Sequence, residues 1–180
     1  MLDDLPDDHQ HRDVTSALSW VRSFGQAVDV GAHRGIVSAL LLRRFPSVVS
    51  IEPGSLADRI PAGATVIRAA VGDKTGRCSM RDGTENTGQR HVVEGDDVDV
   101  ITLDSLDLKP DFLKLDVEGM EYHALIGGEQ TIRAHRPVLM VEENGLNRRY
   151  GIEDGAAIRL LESWGAKRVA IRNKDHIFAW

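Results

Sequence analysis

The sequence predicts an α/β fold, a mostly parallel sheet with helices on both faces, from three observations: continuous apolar runs, helical segments between them, and an ending that doubles back. The apolar runs lie at residues 27–31, 48–51, 65–71, 112–117 and 138–141. They are unbroken rather than alternating, as expected of strands covered on both faces. Ile36, Val37, Leu40, Leu41 and Phe45 recur with helical spacing, as do Met120, Ala124, Leu125 and Ile132, predicting one helix for each group. Alternation of strand and helix is the signature of right-handed crossover units in an open sheet. Ile158, Leu160, Leu161 and Trp164 predict another helix over 156–164, with Gly165 placed to end it. Residues 168–171 and 176–180 flank a polar Arg172-Asn173-Lys174-Asp175 turn and predict a terminal antiparallel hairpin. The stretch 77–98 is polar, is accompanied by Gly76, Gly83, Gly88 and Gly95, and shows neither period. It reads as an excursion over the rim that ends in a strand at 99–103, followed by a turn at Leu108-Lys109-Pro110-Asp111.

A chain of 180 residues fits one domain, and no internal repeat or second domain interrupts residues 1–180. Hydrophobic residues at 42% and charged residues at 28% are ordinary for a globular protein. The net charge of -6, without a basic stripe interleaved with aromatics, argues against a nucleic-acid partner. Asp3, Asp4, Asp7 and Asp8 crowd the start, and residues 1–12 read as a solvated, frayed acidic end. Cys78 is the one cysteine, so no intrachain disulfide and no zinc spacing can arise, which points to a reducing compartment. No window approaches the roughly 20 apolar residues of a membrane span, and the first residues lack a basic segment leading into an apolar one. The expectation is a cytoplasmic protein without a membrane partner; composition says nothing of its oligomeric state.

The strongest local signal is Val28-Asp29-Val30-Gly31-Ala32-His33-Arg34-Gly35, a strand running into a glycine-bearing turn and then a helix. Glycine permits the turn and a close ligand approach at the carboxyl end of the strand, where open α/β sheets place their sites. The spacing is not the G-x-G-x-x-G of a dinucleotide pyrophosphate site, and an acid at Asp29 would repel phosphates. A cationic ligand suits it better. S-adenosylmethionine carries a sulfonium and an ammonium, and Asp29 could hold its amino-acid end directly or through water; the alternative is an acid that only caps the turn. Glu52, in Ile51-Glu52-Pro53, stands 21 residues after Gly31 at the end of the second strand. A carboxylate there can accept hydrogen bonds from both hydroxyls of a ribose, or else be a solvated acid in a proline turn. Pro53 would fix the exit of the chain. Ala70 and Val71 end the third run and could line an adenine slot, or simply be core.

The fourth strand carries Asp111-Phe112-Leu113-Lys114-Leu115-Asp116-Val117-Glu118-Gly119-Met120-Glu121. Asp116 is the leading site acid, able to orient an acceptor hydroxyl or take its proton. Glu118 is either its partner or an acid favoured by the helix dipole. Glu142, at the end of the fifth strand, is a substrate-side candidate. His33 lies in the cofactor turn, whereas His123, one turn into a helix, reads mainly as a packing or surface histidine.

These blocks, together with Ile101-Thr102-Leu103-Asp104-Ser105-Leu106, Arg136-Pro137 and Val141-Glu142, resemble the FkbM methyltransferase pattern from Ala27 to about Asn144. The resemblance implies a Rossmann-like class I methyltransferase fold: a mostly parallel seven-stranded sheet, helices on both faces and a C-terminal antiparallel hairpin. It implies S-adenosylmethionine as donor and O-methylation of a sugar, polyketide or similar hydroxylated small molecule. It carries cofactor roles onto Asp29, Gly31, Ala32, Gly35 and Glu52, and site roles onto Asp116 and Glu118. The chain departs from the pattern at His33, where the family usually has Asn, in the short segment 54–64, and in lacking a sizeable substrate-capping extension.

The expected chemistry is an in-line displacement in which the enzyme contributes alignment and desolvation. A set of hard oxygens from Asp104, Asp116 and Glu142 could instead bring Mg²⁺ to the site, although the leading expectation is no metal. The rival readings are an NAD(P)-dependent oxidoreductase and a non-catalytic nucleoside-binding module that keeps the fold.

Overall fold

The structure, a computed structural model, describes residues 9–81 and 90–180. The chain builds a seven-stranded sheet from β1 (Gln26–Val30), β2 (Ser47–Ile51), β3 (Thr65–Ile67), β7 (Phe112–Leu115), β8 (Val138–Glu142), β9 (Lys167–Arg172) and β10 (Asp175–Ala179). The spatial order is β3-β2-β1-β7-β8-β10-β9. The first five strands of that order run parallel, and β10 runs antiparallel to both of its neighbours. The α/β fold class, the mostly parallel sheet and the terminal hairpin are those expected from the sequence. Order reverses at β1, the switch point outside which open sheets bind ligands.

One face of the sheet packs Val28, Val30, Leu113, Leu115, Leu139 and Val141 against α3 (Glu121–Ile126), α4 (Glu129–His135) and α5 (Ala156–Ser163). The other packs Ala27, Val48, Phe112 and Met140 against α1 (His9–Leu18) and α2 (Ile36–Leu41). Phe112, Leu115, Leu125, Leu139 and Leu161 are among the fully buried side chains. The apolar runs were continuous because both faces are covered. The acidic run at Asp3, Asp4, Asp7 and Asp8 lies outside the described residues. The following residues, expected to share that frayed end, instead begin α1, which places Val14 and Ala17 in the core.

Three further expectations are corrected. The run 65–71 is not one strand: β3 ends at Ile67, and β4 (Ala70–Val71) belongs to a second sheet of order β4-β6-β5. Much of the supposed excursion is ordered in that sheet as β5 (Gly76–Arg81) and β6 (His91–Ile101), an antiparallel pair with a bulge between Cys78 and Ser79. Gly83 and Gly88 lie outside the described residues. The strand expected at 99–103 is the end of β6, and Leu103 opens a short 3₁₀ turn over Leu103–Ser105. Finally, the helix around 120–132 is two helices: a Cβ at Gly127 would sit 2.0 Å from the carbonyl oxygen of Gly72, so backbone approaches backbone where α3 stops and α4 starts.

Among the described residues no helix is long and apolar enough to cross a membrane.

Candidate functional site

Strand register assembles the site. Val30 pairs with Ile51 on one side and Leu115 on the other, and Leu115 pairs with Val141. The residues that follow in sequence, Gly31, Glu52, Asp116 and Glu142, therefore line up along the carboxyl rim of four adjacent parallel strands. All four border one cavity of about 390 Å³. Ala32, His33, Pro53, Ala70, Val71 and Glu118, the other candidates named from the sequence on these turns, border it too. Ile51, Val37 and Ala69 add apolar wall, and Met80 and Val92 reach in from the second sheet, with Arg90 just before β6. This roof and Lys114 were not legible from the sequence.

Glu52 is 8% exposed and faces the cavity with both carboxylate oxygens anchored. One accepts the backbone N–H of His33 at 2.9 Å and the other that of Gly54 at 2.8 Å. Each oxygen keeps a lone pair for a ligand hydroxyl. His33 has φ 52, a left-handed conformation that turns its N–H toward Glu52. Burial lowers its imidazole below the ordinary histidine value, against the pull of Glu52, so the ring is neutral near pH 7.

Asp29 and Gly35 do not border the cavity. Asp29 is fully buried, accepts the Ser38 hydroxyl at 2.7 Å, and lies 3.4 Å from the Lys114 ammonium. Its place in β1 explains this: strand alternation aims Asp29 at α2, and register sets it beside Ser50 and Lys114 on the same face. Gly35 is a turn residue, with Pro61 and Ile60 packed behind it.

On the other side of the cavity the carboxylates gather. Single oxygens of Asp116, Glu121 and Glu142 lie within 4.8 Å of one another. Asp104, weighed as a third oxygen for Mg²⁺, is elsewhere: its carboxylate accepts the backbone N–H groups of Gln130 and Thr131 and caps α4. Glu121 holds the helix-start position weighed for Glu118, accepting the N–H groups of Val117 and Gly119. Glu118, at φ 56, turns to the cavity instead. His123 sits between Tyr122 and Tyr150 as a packed ring.

Burial, with the neighbouring Asp116 charge behind it, pushes Glu118 up to about 7. Burial, partly offset by its backbone hydrogen bonds, pushes Glu121 up to about 7. Burial, then the charge of Asp116 and a hydrogen bond with it, drives Glu142 furthest, to about 9. At neutral pH Glu142 therefore holds a proton and is hydrogen-bonded to Asp116, and its Oε2 accepts the Asn144 amide at 2.5 Å. A raised carboxyl binds a proton in the folded state that the unfolded chain has released. Its stabilising contribution is complete below the ordinary glutamate value and is lost as pH rises through the folded value. Over that window the slope is roughly 1.4 kcal/mol per pH unit for one proton. The ligand-free protein should therefore melt at lower temperature at about pH 9 than at about pH 6, and Glu142→Gln, which mimics the protonated acid, should flatten that fall. Equal slopes for the two proteins in thermal melts would remove the proton from Glu142.

The sequence profile of the Methyltransferase FkbM domain matches residues 29–168. No curated protein matches the chain. Among solved structures, the chain is similar to an FkbM methyltransferase from Methylobacillus flagellatus KT, with 18% identity, TM-score 0.58, and coverage of 99% of this chain and 56% of that one. It is also similar to precorrin-6y C5,15-methyltransferase from Geobacter metallireducens GS-15, with 16% identity, TM-score 0.54, and coverage of 99% and 91%. The chain thus spans little more than half of the FkbM structure it matches, and at these identities the likeness to both is one of fold. Because the profile covers most of the residues, the chain belongs to the FkbM methyltransferase family.

Proposed function

We propose that the chain binds S-adenosylmethionine in the 390 Å³ cavity and methylates a hydroxyl of a small molecule, a sugar, polyketide or similar metabolite. The observation that carries this reading is Glu52, a nearly buried carboxylate fixed by two backbone N–H groups and still open to the cavity. That is a receptor for a ribose diol. The apolar wall of Ile51, Ala70 and Val71 beside it suits an adenine, and the Gly31 turn suits the amino-acid portion, approached along backbone. Asp29 would support that turn from behind.

Bound S-adenosylmethionine supplies an electrophilic methyl group on a sulfonium. The residues of the chain do the rest. Asp116 and Glu142 lie at the rim beyond the Gly31 turn, where an acceptor would enter. An oxygen acceptor must shed its proton as the new bond forms, and Asp116 is the group to orient that hydroxyl and take the proton late. The protonated Glu142 beside it offers a hydrogen-bond donor rather than a second negative charge. Met80 and Val92 add apolar surface to the cavity from the second sheet, so an acceptor bound there would displace water. Asp104 lies away from the rim, so the Mg²⁺ set first considered does not form; Asp116, Glu121 and Glu142 are the three carboxylates that could hold a cation there instead.

Calorimetric titration with S-adenosylmethionine, S-adenosylhomocysteine and NAD tests the donor. Binding of the first two and not the third is expected. Glu52→Gln should weaken both by roughly 10- to 100-fold, the loss of a charged hydrogen-bond acceptor for two hydroxyls. Unchanged affinity would move the ribose elsewhere.

A further inference from the structure

We infer that Lys114 is a positioning residue, one buried ammonium that ties the cofactor turn to the acceptor-side acid, and that Asp29 acts through it rather than on a ligand. The inference rests on the methyl-transfer reading of the same site.

Lys114 breaks the apolar run of β7, whose four residues are all buried. It is 3% exposed, yet it borders both the main cavity and a second one of about 200 Å³ that opens toward Asp13 and Asp175. Its ammonium is paired with two carboxylates and donates to one carbonyl. These are Asp116 Oδ2 at 3.2 Å, Asp29 Oδ1 at 3.4 Å and the Gly31 carbonyl at 3.4 Å. Behind Asp29 stands Ser38, which receives the Ser50 hydroxyl at 2.8 Å. A continuous polar row therefore runs from β2 through α2 and β1 to the end of β7.

Packing does not call for this row. The next residue across the sheet in register with Lys114 is Met140, fully apolar and equally buried. A second methionine would fill the same space without desolvating a charge, and replacing buried ion pairs with apolar groups is often neutral or stabilising. What methionine could not do is hold Asp116 charged among other acids. Asp116 is faced by Asp29 from β1, His33 from the first turn, Glu118 and Glu121 around the start of α3, Glu142 from β8 and Asp175 from β10. The cations in that neighbourhood, among the described residues, are Lys114 itself, Arg149 acting on Glu118, Lys174 on the wall of the second cavity, and Arg34 and Arg90 on the wall of the main one. Of these, Lys114 is the one whose contact with Asp116 is direct, an ion pair at 3.2 Å.

The test uses the full chain and the variants Lys114→Met and Asp29→Asn. Lys114→Met is expected to bind S-adenosylhomocysteine within about threefold of the parent, to lose turnover on the order of 100-fold, and to shift the acid limb of its pH–rate profile upward by about one unit or more. Asp29→Asn should move that limb the opposite way, because Lys114 then answers to Asp116 alone. A role confined to packing would lower both melting temperature and turnover without opposed shifts. Unmoved limbs, or turnover lost only in step with cofactor affinity, overturn the inference. Carboxyl ¹³C titration, with the Asp116 resonance assigned through Asp116→Asn, reads the same opposed shifts without any methyl transfer. Failure of the parent to bind S-adenosylhomocysteine would sink the donor assignment and leave the ¹³C shifts to decide on Lys114. Should Lys114→Met not fold, the downward shift in Asp29→Asn decides.

Discussion

Replacing Asp116 with Asn is expected to cut methyl transfer by roughly 10²- to 10⁴-fold while leaving S-adenosylhomocysteine affinity within about threefold. The split follows from where the side chain stands. Asp116 is on the carboxyl rim between the Gly31 turn and Glu142, bordering both cavities, while the groups suited to hold adenosine lie on the far side of Gly31. Asn keeps the size and can still align a hydroxyl, but it cannot accept the proton that an oxygen acceptor releases. It also leaves Lys114 with one fewer anion, so the loss belongs to kcat and should not be recovered by more donor. Turnover and calorimetric affinity measured on the same preparation decide the matter. If turnover persists, Asp116 only lines the cavity and the proton leaves by another route; if both quantities fall together, its role is to shape the donor site.

The sequence displayed the rim before the structure did, because a parallel sheet in register makes its chemistry local. Gly31 and Asp116 stand at the ends of apolar runs that name strands, Glu52 and Glu142 come directly after such runs, and four strand ends in register make one row. Two kinds of feature stayed hidden. Direction was one: Asp29 sits two residues before Gly31, and only the phase of β1 reveals that it points to α2 and Lys114 instead of the cavity. The companion of that acid, Lys114, stands inside a four-residue buried run, and nothing in the sequence says which acids it faces. Partial coverage was the other. β5 and β6 are largely solvent-facing, with Arg77 paired to Asp96 and Asp99 across them, so no apolar run marks strands that nonetheless bring Met80 and Val92 over the site. The acid at the start of α3 illustrates a smaller ambiguity. Glu118 and Glu121 are three residues apart and both suit a helix start, and the left-handed turn at Glu118 assigns the backbone N–H groups to Glu121.

Gly31→Ala should be strongly damaging, lowering stability by about 2–4 kcal/mol and the melting temperature by roughly 5–15 °C. Gly31 has φ 77, where a Cβ is strained to begin with. The added carbon would also lie 1.8 Å from the carbonyl oxygen of Asp116 and 2.8 Å from its carbonyl carbon. Neither partner can step aside cheaply. The Gly31 N–H is bound to the Ile51 carbonyl at 2.9 Å, and the Asp116 N–H is bound to the Val30 carbonyl at 3.2 Å, so relief requires prising β1 from β2 or from β7. Those are the strand ends that align the rim, so donor affinity should fall along with stability, unlike in Asp116→Asn. Gly76→Ala is the matched control, since a Cβ there meets nothing within 4 Å, and its melting temperature should stay close to that of the parent. A Gly31→Ala protein that melts with the control would mean that β1 and β7 approach less closely than this geometry requires, and the shared rim would lose its physical basis.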